Sequence, residues 1–295
     1  MGKPIIDITN LTKFYGKARG IEQINLEVGE GEIFGFIGPN GAGKSTTIRI
    51  LLNMIFPGGG SARILGMDVI QQTKQIKRLV GYIPSDANTY DTMGVHEFLT
   101  YCIRFNGIEG GERKIAELSE WFGLDTNRKI SDLSTGNKKK VSIVQSLLHS
   151  PKLLIVDEPT TGLDPLMKAR FFELLHAENQ RGMTVFYSSH ILSEVQLLCK
   201  RIAIIREGKI ITVEDIENLR RKQLKKVNIE FEKTETNRSF PIRGITGDVS
   251  RLEDTSAFMF SGNMNELTGL LATRKVINLT IEEPSLEEVF MHYYH

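Results

Sequence analysis

The run Gly38-Pro39-Asn40-Gly41-Ala42-Gly43-Lys44-Ser45 fits G-x-x-x-x-G-K-[ST] at every defined position. Residues of these types at this spacing suit one chemistry, the cradling of a polyphosphate. Glycines let the backbone wrap an anion without Cβ clashes, successive N–H groups converge on it, and a helix N-terminus behind the loop favours negative charge. The lysine reaches the β- and γ-phosphates, and the serine hydroxyl ligates Mg2+. Such a loop needs a strand to deliver it and a helix to receive it. Ile33-Phe34-Gly35-Phe36-Ile37 is a nearly continuous apolar run, and Ile48, Leu51, Leu52 and Ile55 recur at i, i+3, i+4 and i+7. In that context the motif predicts binding of a nucleoside triphosphate by residues 38–45 and the adjoining Thr46.

A second stretch, Leu153-Leu154-Ile155-Val156-Asp157-Glu158-Pro159, is an apolar strand that ends in two carboxylates. Acids at a strand's carboxyl end point into the crevice where an α/β sheet binds ligands. Asp157 there would help hold Mg2+ through water, and Glu158 would orient and deprotonate an attacking water.

The elements around these motifs alternate. Leu153–Val156, residues 183–187 and residues 202–205 join Ile33–Ile37 as apolar runs expected of parallel strands covered on both faces. Phe171, Leu174 and Leu175 mark one amphipathic helix between them, and Leu192, Val195 and Cys199 another. The fold class predicted is α/β with helices on both sides of the sheet. Residues 88–150 contain no strand pattern and read as a helical insert, with helices at Val95–Asn106 and 113–122. After Asp215 the pattern changes. The basic run at 220–226 reads as a solvated helix end or linker. Alternation at Val227, Ile229 and Phe231, a short strand at 258–260, a helix at 265–272, alternation at Ile277, Leu279 and Ile281, and a helix at 285–293 make a small α+β appendix. The domains expected are 1–220, with its insert at 88–150, and 221–295.

Composition narrows the classes further. The 295 residues are 40% hydrophobic and 25% charged, which suits a globular chain with a sizeable core. The net charge is +1, and residues 226–295 carry seven basic against eleven acidic side chains, so no electrostatic case exists for nucleic acid. Cys102 and Cys199 read as packed thiols in a reducing compartment. No signal peptide is visible, because Asp7 interrupts the first apolar run, and no run reaches the length of a spanning helix. A cytoplasmic location follows as the expectation, with any membrane role supplied by a partner.

Taken with Leu133-Ser134-Thr135-Gly136-Asn137, Thr161-Gly162-Leu163-Asp164 and His190 after a strand, these motifs make residues 1 to about 220 resemble the ATP-binding subunit of an ABC (ATP-binding cassette) protein. The resemblance implies a P-loop NTPase fold of ABC type, a mixed-sheet core with a helical subdomain, and ATP and Mg2+ as cofactors. Residues 133–137 resemble the signature motif, where Ser134 and Gly136 would meet the γ-phosphate held by the other subunit of a dimer. Asp164 resembles the acid that links the two sites across that dimer. His190 resembles the switch histidine that bonds the γ-phosphate, and Tyr15 the aromatic that stacks on adenine, the alternative being that Tyr15 packs in an antiparallel edge strand. Lys44, Glu158 and His190 are thereby the catalytic candidates, and Ser45 and Asp157 the metal candidates.

Some positions depart from the family pattern. Val80-Gly81-Tyr82-Ile83-Pro84 normally leads into glutamine, and here Ser85 follows; Thr135 stands for glycine, Asn137 for glutamine and Thr161 for serine. The segment 283–290 resembles the ending of ATPase subunits from bacterial drug, antibiotic and ion exporters. The function expected is an ATPase subunit that dimerises, with itself or a related chain, and powers an integral membrane exporter encoded separately. The rival is a soluble ABC ATPase acting on the ribosome or nucleic acid; a single cassette and an acidic appendix weigh against it.

Overall fold

A computed structural model describes residues 3–86, 92–221, 225–232, 242–252, 255–282 and 284. The chain divides into two compact units, Met1–Glu214 and Asp215–His295.

The first unit opens with β1 (Ile6–Tyr15), β2 (Ala18–Val28) and β3 (Ile33–Ile37), then α1 (Lys44–Leu51), β4 (Gly59–Ile64), β5 (Met67–Asp68), α2 (Thr73–Lys77) and β6 (Val80–Ile83). A helical stretch follows, α3 (Val95–Asn106), α4 (Gly111–Phe122), a single 3-10 turn at Ile130–Asp132 and α5 (Thr135–Leu147). The unit closes with β7 (Leu153–Asp157), α6 (Pro165–Gln180), β8 (Thr184–Ser189), α7 (Leu192–Leu198), β9 (Arg201–Arg206) and β10 (Lys209–Asp215).

Two sheets share one core. The first has the order β2-β1-β4-β5, and β1 pairs antiparallel with both β2 and β4. The second has the order β10-β9-β3-β8-β7-β6, in which β9, β3, β8, β7 and β6 are all parallel. Ile6, Leu11 and Ile24 of the first sheet and Phe34, Phe36, Ile155 and Phe186 of the second join Ile48 and Leu51 of α1 in one buried cluster. Burying that apolar surface is the main stabilising force of the unit.

The parallel strands decide where chemistry happens. Register pairs Ile37 with Ser189, Asp157 with Ser188 and Ile83 with Val156, so these strands end together along one edge. The segments leaving that edge are the glycine loop, Glu158, His190 and Ser85. A ligand crevice at the carboxyl ends of parallel strands is the arrangement α/β sheets favour.

Between β6 and β7 the helices α3, α4 and α5 bury Phe98 and Leu99, Ile115 and Phe122, and Val141 and Val144, with α4 beginning at Gly111, two residues before the expected start. Two sequence expectations need correction. The helix after the glycine loop ends at Leu51, because Asn53 turns into left-handed backbone at φ 49°; Ile55 packs on the core from a loop instead. The parallel sheet has one more strand than expected, β6, whose four residues are interrupted by Gly81. Tyr15 ends β1 where that strand pairs with β2 alone, the pairing with β4 having stopped at Thr12.

The second unit contains α8 (Ile216–Arg221), β11 (Lys225–Phe231), β12 (Ile245–Leu252), β13 (Thr255–Phe260), α9 (Met264–Ala272) and β14 (Val276–Glu282). Its sheet runs β12-β13-β11-β14 with antiparallel pairing throughout. Val227, Ile229, Phe231, Phe258 and Phe260 pack against Leu267 and Leu271 of α9. β12 is a strand the sequence reading lacked. Ile277, Leu279 and Ile281, whose alternation with polar residues marks β14, are 63%, 37% and 38% exposed. The helix expected at 285–293 lies outside the described residues.

Candidate active site

Gly43 shows why the loop is glycine-rich. It sits at φ 111° at the entrance to α1, and a Cβ there would lie 2.7 Å from Ile21 Cγ2 and 2.8 Å from the Gly20 carbonyl oxygen. No other residue fits that turn without displacing β2. The loop therefore delivers the first turn of α1, Lys44 to Thr46, to the sheet edge with amides that have no intrahelical acceptor.

Lys44 is buried. Its Nζ donates to the carbonyls of Gly38 at 2.7 Å and Pro39 at 3.1 Å, and pairs with Glu158 Oε1 at 3.1 Å. Glu158 Oε2 lies 3.2 Å from His190 Nδ1. Three residues from three separate segments are thus linked through one carboxylate. Burial pushes the Glu158 carboxyl upward, but the charge and hydrogen bond of Lys44, joined by those of His190, hold it below the usual glutamate range. Glu158 is ionised at neutral pH and can accept a proton.

Glu158 reaches this position through an uncommon backbone conformation, φ 47°, directly after β7, with its N–H donated to the Ser188 carbonyl at 3.0 Å. A left-handed non-glycine residue costs about 1–3 kcal/mol and persists where its surroundings over-determine it, often at functional sites.

Asp157 is buried and accepts hydrogen bonds from Ser45 and, at 3.2 Å, from Ser188 Oγ. Burial raises its pKa, against the lowering effect of the two serines, and the neighbouring Glu158 charge raises it further. A carboxylate penalised as an anion gains most from a cation placed beside it, and with Ser45 Oγ it forms a set of hard oxygen donors of the kind Mg2+ takes. Among the described residues no group of three or more His, Cys, Asp or Glu side chains is arranged to hold a metal ion by itself. The fit is to a metal that keeps water and phosphate in most of its coordination sphere.

Tyr15 ends β1 with its ring half exposed. A Cβ at Gly20 would meet Tyr15 Cε2 at 2.9 Å and Thr46 Cγ2 at 3.3 Å, so the ring lies beside the first turn of α1. Lys13 Nζ is 5.6 Å from its centroid. Ser134 caps α5 by accepting from the Asn137 N–H at 3.3 Å, and Asp164 caps α6 by accepting from Met167 N–H at 2.9 Å. A Cβ on Gly136 would lie 2.8 Å from the Gly162 carbonyl oxygen, so within one chain residues 134–137 pack against residues 161–164. The structure brings Lys44, Ser45, Asp157, Glu158 and His190 together; the contacts of Ser134 and Gly136 are instead with their own helix and the Gly162 turn.

Two residues of this region escaped the sequence reading. Glu194 of α7 is buried and accepts from Thr160 Oγ1 (2.9 Å), Tyr187 OH (2.9 Å), Ser189 Oγ (3.3 Å) and Lys168 Nζ (3.3 Å). It ties the turn before Asp164 to the strand before His190. A carboxylate on the inward side of an amphipathic helix, four residues after His190, was the available signal. The other is Lys139, one of three consecutive lysines in α5; burial pushes its pKa down to about 8, against the charges of Asp157, Asp86 and Glu158.

Comparison with known proteins gives the family of the chain. The family model described as ABC transporter matches residues 21–161. The bacitracin transport ATP-binding protein BcrA of Bacillus licheniformis is 35% identical over 97% of this chain and 96% of its own length. The linearmycin resistance ATP-binding protein LnrL of Bacillus subtilis (strain 168) is 33% identical over 98% and 97%. Among solved structures, an ATP-binding subunit of an ABC transporter superposes with a TM-score of 0.70 at 29% identity, covering 74% of this chain and 92% of that one. A dimeric ATP-binding cassette bound to ADP and Pi has the same fold, with a TM-score of 0.66 at 24% identity over 72% of this chain and 98% of its own. With the motifs, the parallel-sheet edge and near full-length relatives in agreement, the chain belongs to the ATP-binding proteins of ABC transporters.

Proposed function

We propose that this ATPase works as half of a dimer, with a second copy or a related chain, that closes around ATP and powers a separately encoded integral membrane exporter. The observation that carries the proposal is the convergence of Lys44, Glu158 and His190 within 3.2 Å contacts at the edge where the glycine loop leaves the sheet. On this reading residues 38–46 hold the phosphates, Lys44 neutralises the β- and γ-phosphates, Tyr15 stacks on adenine, and Ser45 and Asp157 hold Mg2+, the aspartate through water. The metal supplies charge neutralisation at the transferred phosphoryl group. Glu158 takes the proton of the attacking water, and His190 donates to the γ-phosphate. Ser134 and Gly136 act on the nucleotide of the opposite subunit.

Export is favoured by the relatives whose names refer to bacitracin transport and linearmycin resistance, which align over both units of the chain. No helix among the described residues is long and apolar enough to cross a membrane, and on this reading the spanning path is the partner's. The chain then sits on the cytoplasmic face, bound through that partner, and residues 221–295 serve as an accessory domain outside the chemistry. The test is affinity capture of the tagged chain from detergent-solubilised membranes of its native host. Recovery of an integral membrane protein that changes the ATPase rate is the expected result; recovery of ribosomes or nucleic acid in its place would overturn it.

Ser85 makes a second test. Its side chain is three heavy atoms shorter than the family's glutamine, and its hydroxyl makes no hydrogen bond among the described residues. Ser85→Ala should leave basal hydrolysis, titrated against Mg2+, within about threefold of wild type, because phosphates, water and Ser45 provide the metal's oxygens. A large rise in the Mg2+ requirement would make Ser85 a direct ligand.

A further inference from the structure

Lys139 points into the protein from the second turn of α5, and its side chain is 2% exposed. Its Nζ donates to the Pro84 carbonyl at 2.6 Å and the Ser85 carbonyl at 2.9 Å, with a third, longer contact to the Glu158 carbonyl at 3.5 Å. The three acceptors belong to the segments leaving β6 and β7, which are parallel neighbours in the sheet. One ammonium therefore spans two strand ends with all three of its protons. Among the described residues no carboxylate lies within ion-pair distance of it. Buried lysines without a paired anion are rare, because burial penalises the charge unless local dipoles replace water. A position whose described acceptors are all main-chain carbonyls of two catalytic-edge segments fits a role in holding those segments.

The segment it holds is also strained. Glu158 stands at φ 47°; its N–H is tied to Ser188 O, and its carbonyl faces Lys139. Both polar groups of that peptide position are thus engaged from outside β7, as a conformation of this cost requires. Lys139 also follows Ser134 by five residues and Gly136 by three, so α5 joins the stretch proposed above to meet phosphate to the Glu158 backbone.

We propose that Lys139 is a positioning residue for hydrolysis, which fixes the Glu158 backbone and the Pro84–Ser85 turn to α5 and so holds the Glu158 carboxylate in line for the attacking water. The proposal deepens the reading of Glu158 as general base and rests on it. The experiment measures ATP affinity and steady-state hydrolysis for Lys139→Met, Lys139→Arg, Glu158→Gln and the double variant Lys139→Met/Glu158→Gln in the full chain. Lys139→Met should bind ATP within about threefold of wild type and lose about tenfold in kcat with little change in KM, the pattern of a lost transition-state interaction. Lys139→Arg, which keeps a multiple donor, should recover most of that loss. In the Glu158→Gln background Lys139→Met should have no further effect, because residues that act as a unit are not additive. A loss confined to KM, an Arg variant as poor as the Met variant, or full multiplication of the two defects would overturn the positioning role. If Lys139→Met does not fold, Lys139→Gln is measured by the same criteria. Normal turnover in Glu158→Gln alone would instead overturn the general-base reading, so the two failures are distinguishable.

Discussion

Glu158→Gln should keep ATP binding and lose turnover by about 10²-fold or more, the scale of a general base. The substitution is nearly isosteric, so it leaves the φ 47° backbone and its N–H bond to Ser188 O in place. It removes the proton acceptor and leaves Lys44 and His190 without the charge that both contact. Lys44 is then free to turn wholly to phosphate, which is why binding should survive. The sign of the pH dependence follows from the same contacts. Because Lys44 and His190, opposing the effect of burial, hold the carboxyl below the glutamate range, the wild-type base is already ionised throughout the neutral region. Raising the pH from 6 to 8 should therefore not rescue the variant relative to wild type. With hydrolysis blocked the ATP-bound dimer cannot reopen, so gel filtration with ATP should show a dimer peak that wild type lacks at steady state. Phosphate release near the wild-type rate would refute the assignment.

The parts legible in the sequence are those in which chemistry or burial is contiguous. β3, β7, β8 and β9 are built around apolar runs because both faces of a parallel strand are covered. The glycine loop and the Asp157-Glu158 pair are legible because loop, helix and strand end are adjacent in the chain. The antiparallel sheet was not delineated, and its irregularities give the reason. Asn10 and Gln23 take positive φ in β1 and β2, and the pairing register shifts between Ile8 and Leu11 and again beyond it. Each irregularity breaks the period-2 alternation by which a strand is recognised. Lys139 was hidden for a different reason. Within Lys138-Lys139-Lys140 nothing in the residue types separates the buried lysine from its neighbours, and its partners are main-chain carbonyls more than fifty positions upstream and nearly twenty downstream. Backbone acceptors leave no trace in composition. Glu194 is similar: its partners Thr160, Lys168, Tyr187 and Ser189 come together only when α6, α7 and β8 pack.

Mixing two inactive variants should restore hydrolysis if each site is built from two chains. Lys44→Ala removes the buried ammonium beside Glu158 and should abolish activity of its own loop. Ser134→Ala removes a hydroxyl that also caps α5, worth about 1 kcal/mol to the helix, so folding of this variant must be checked by its melting temperature. A defect of the cap alone would act within the chain and could not be repaired from outside. A site assembled across a two-fold interface behaves differently: one site of the mixed dimer keeps Lys44 from one chain and Ser134 from the other, while its second site loses both. Under random pairing the mixture should regain up to roughly a quarter of wild-type activity, since half the dimers are mixed and each has one complete site. Each variant alone should remain inactive at every concentration. The result that sinks the arrangement is a mixture in which mixed dimers form, as shown by differently tagged chains, and hydrolysis stays at background. Full activity of wild-type chain held below its dimerisation concentration would sink it equally, because a monomer has no second chain to present Ser134 to the phosphate.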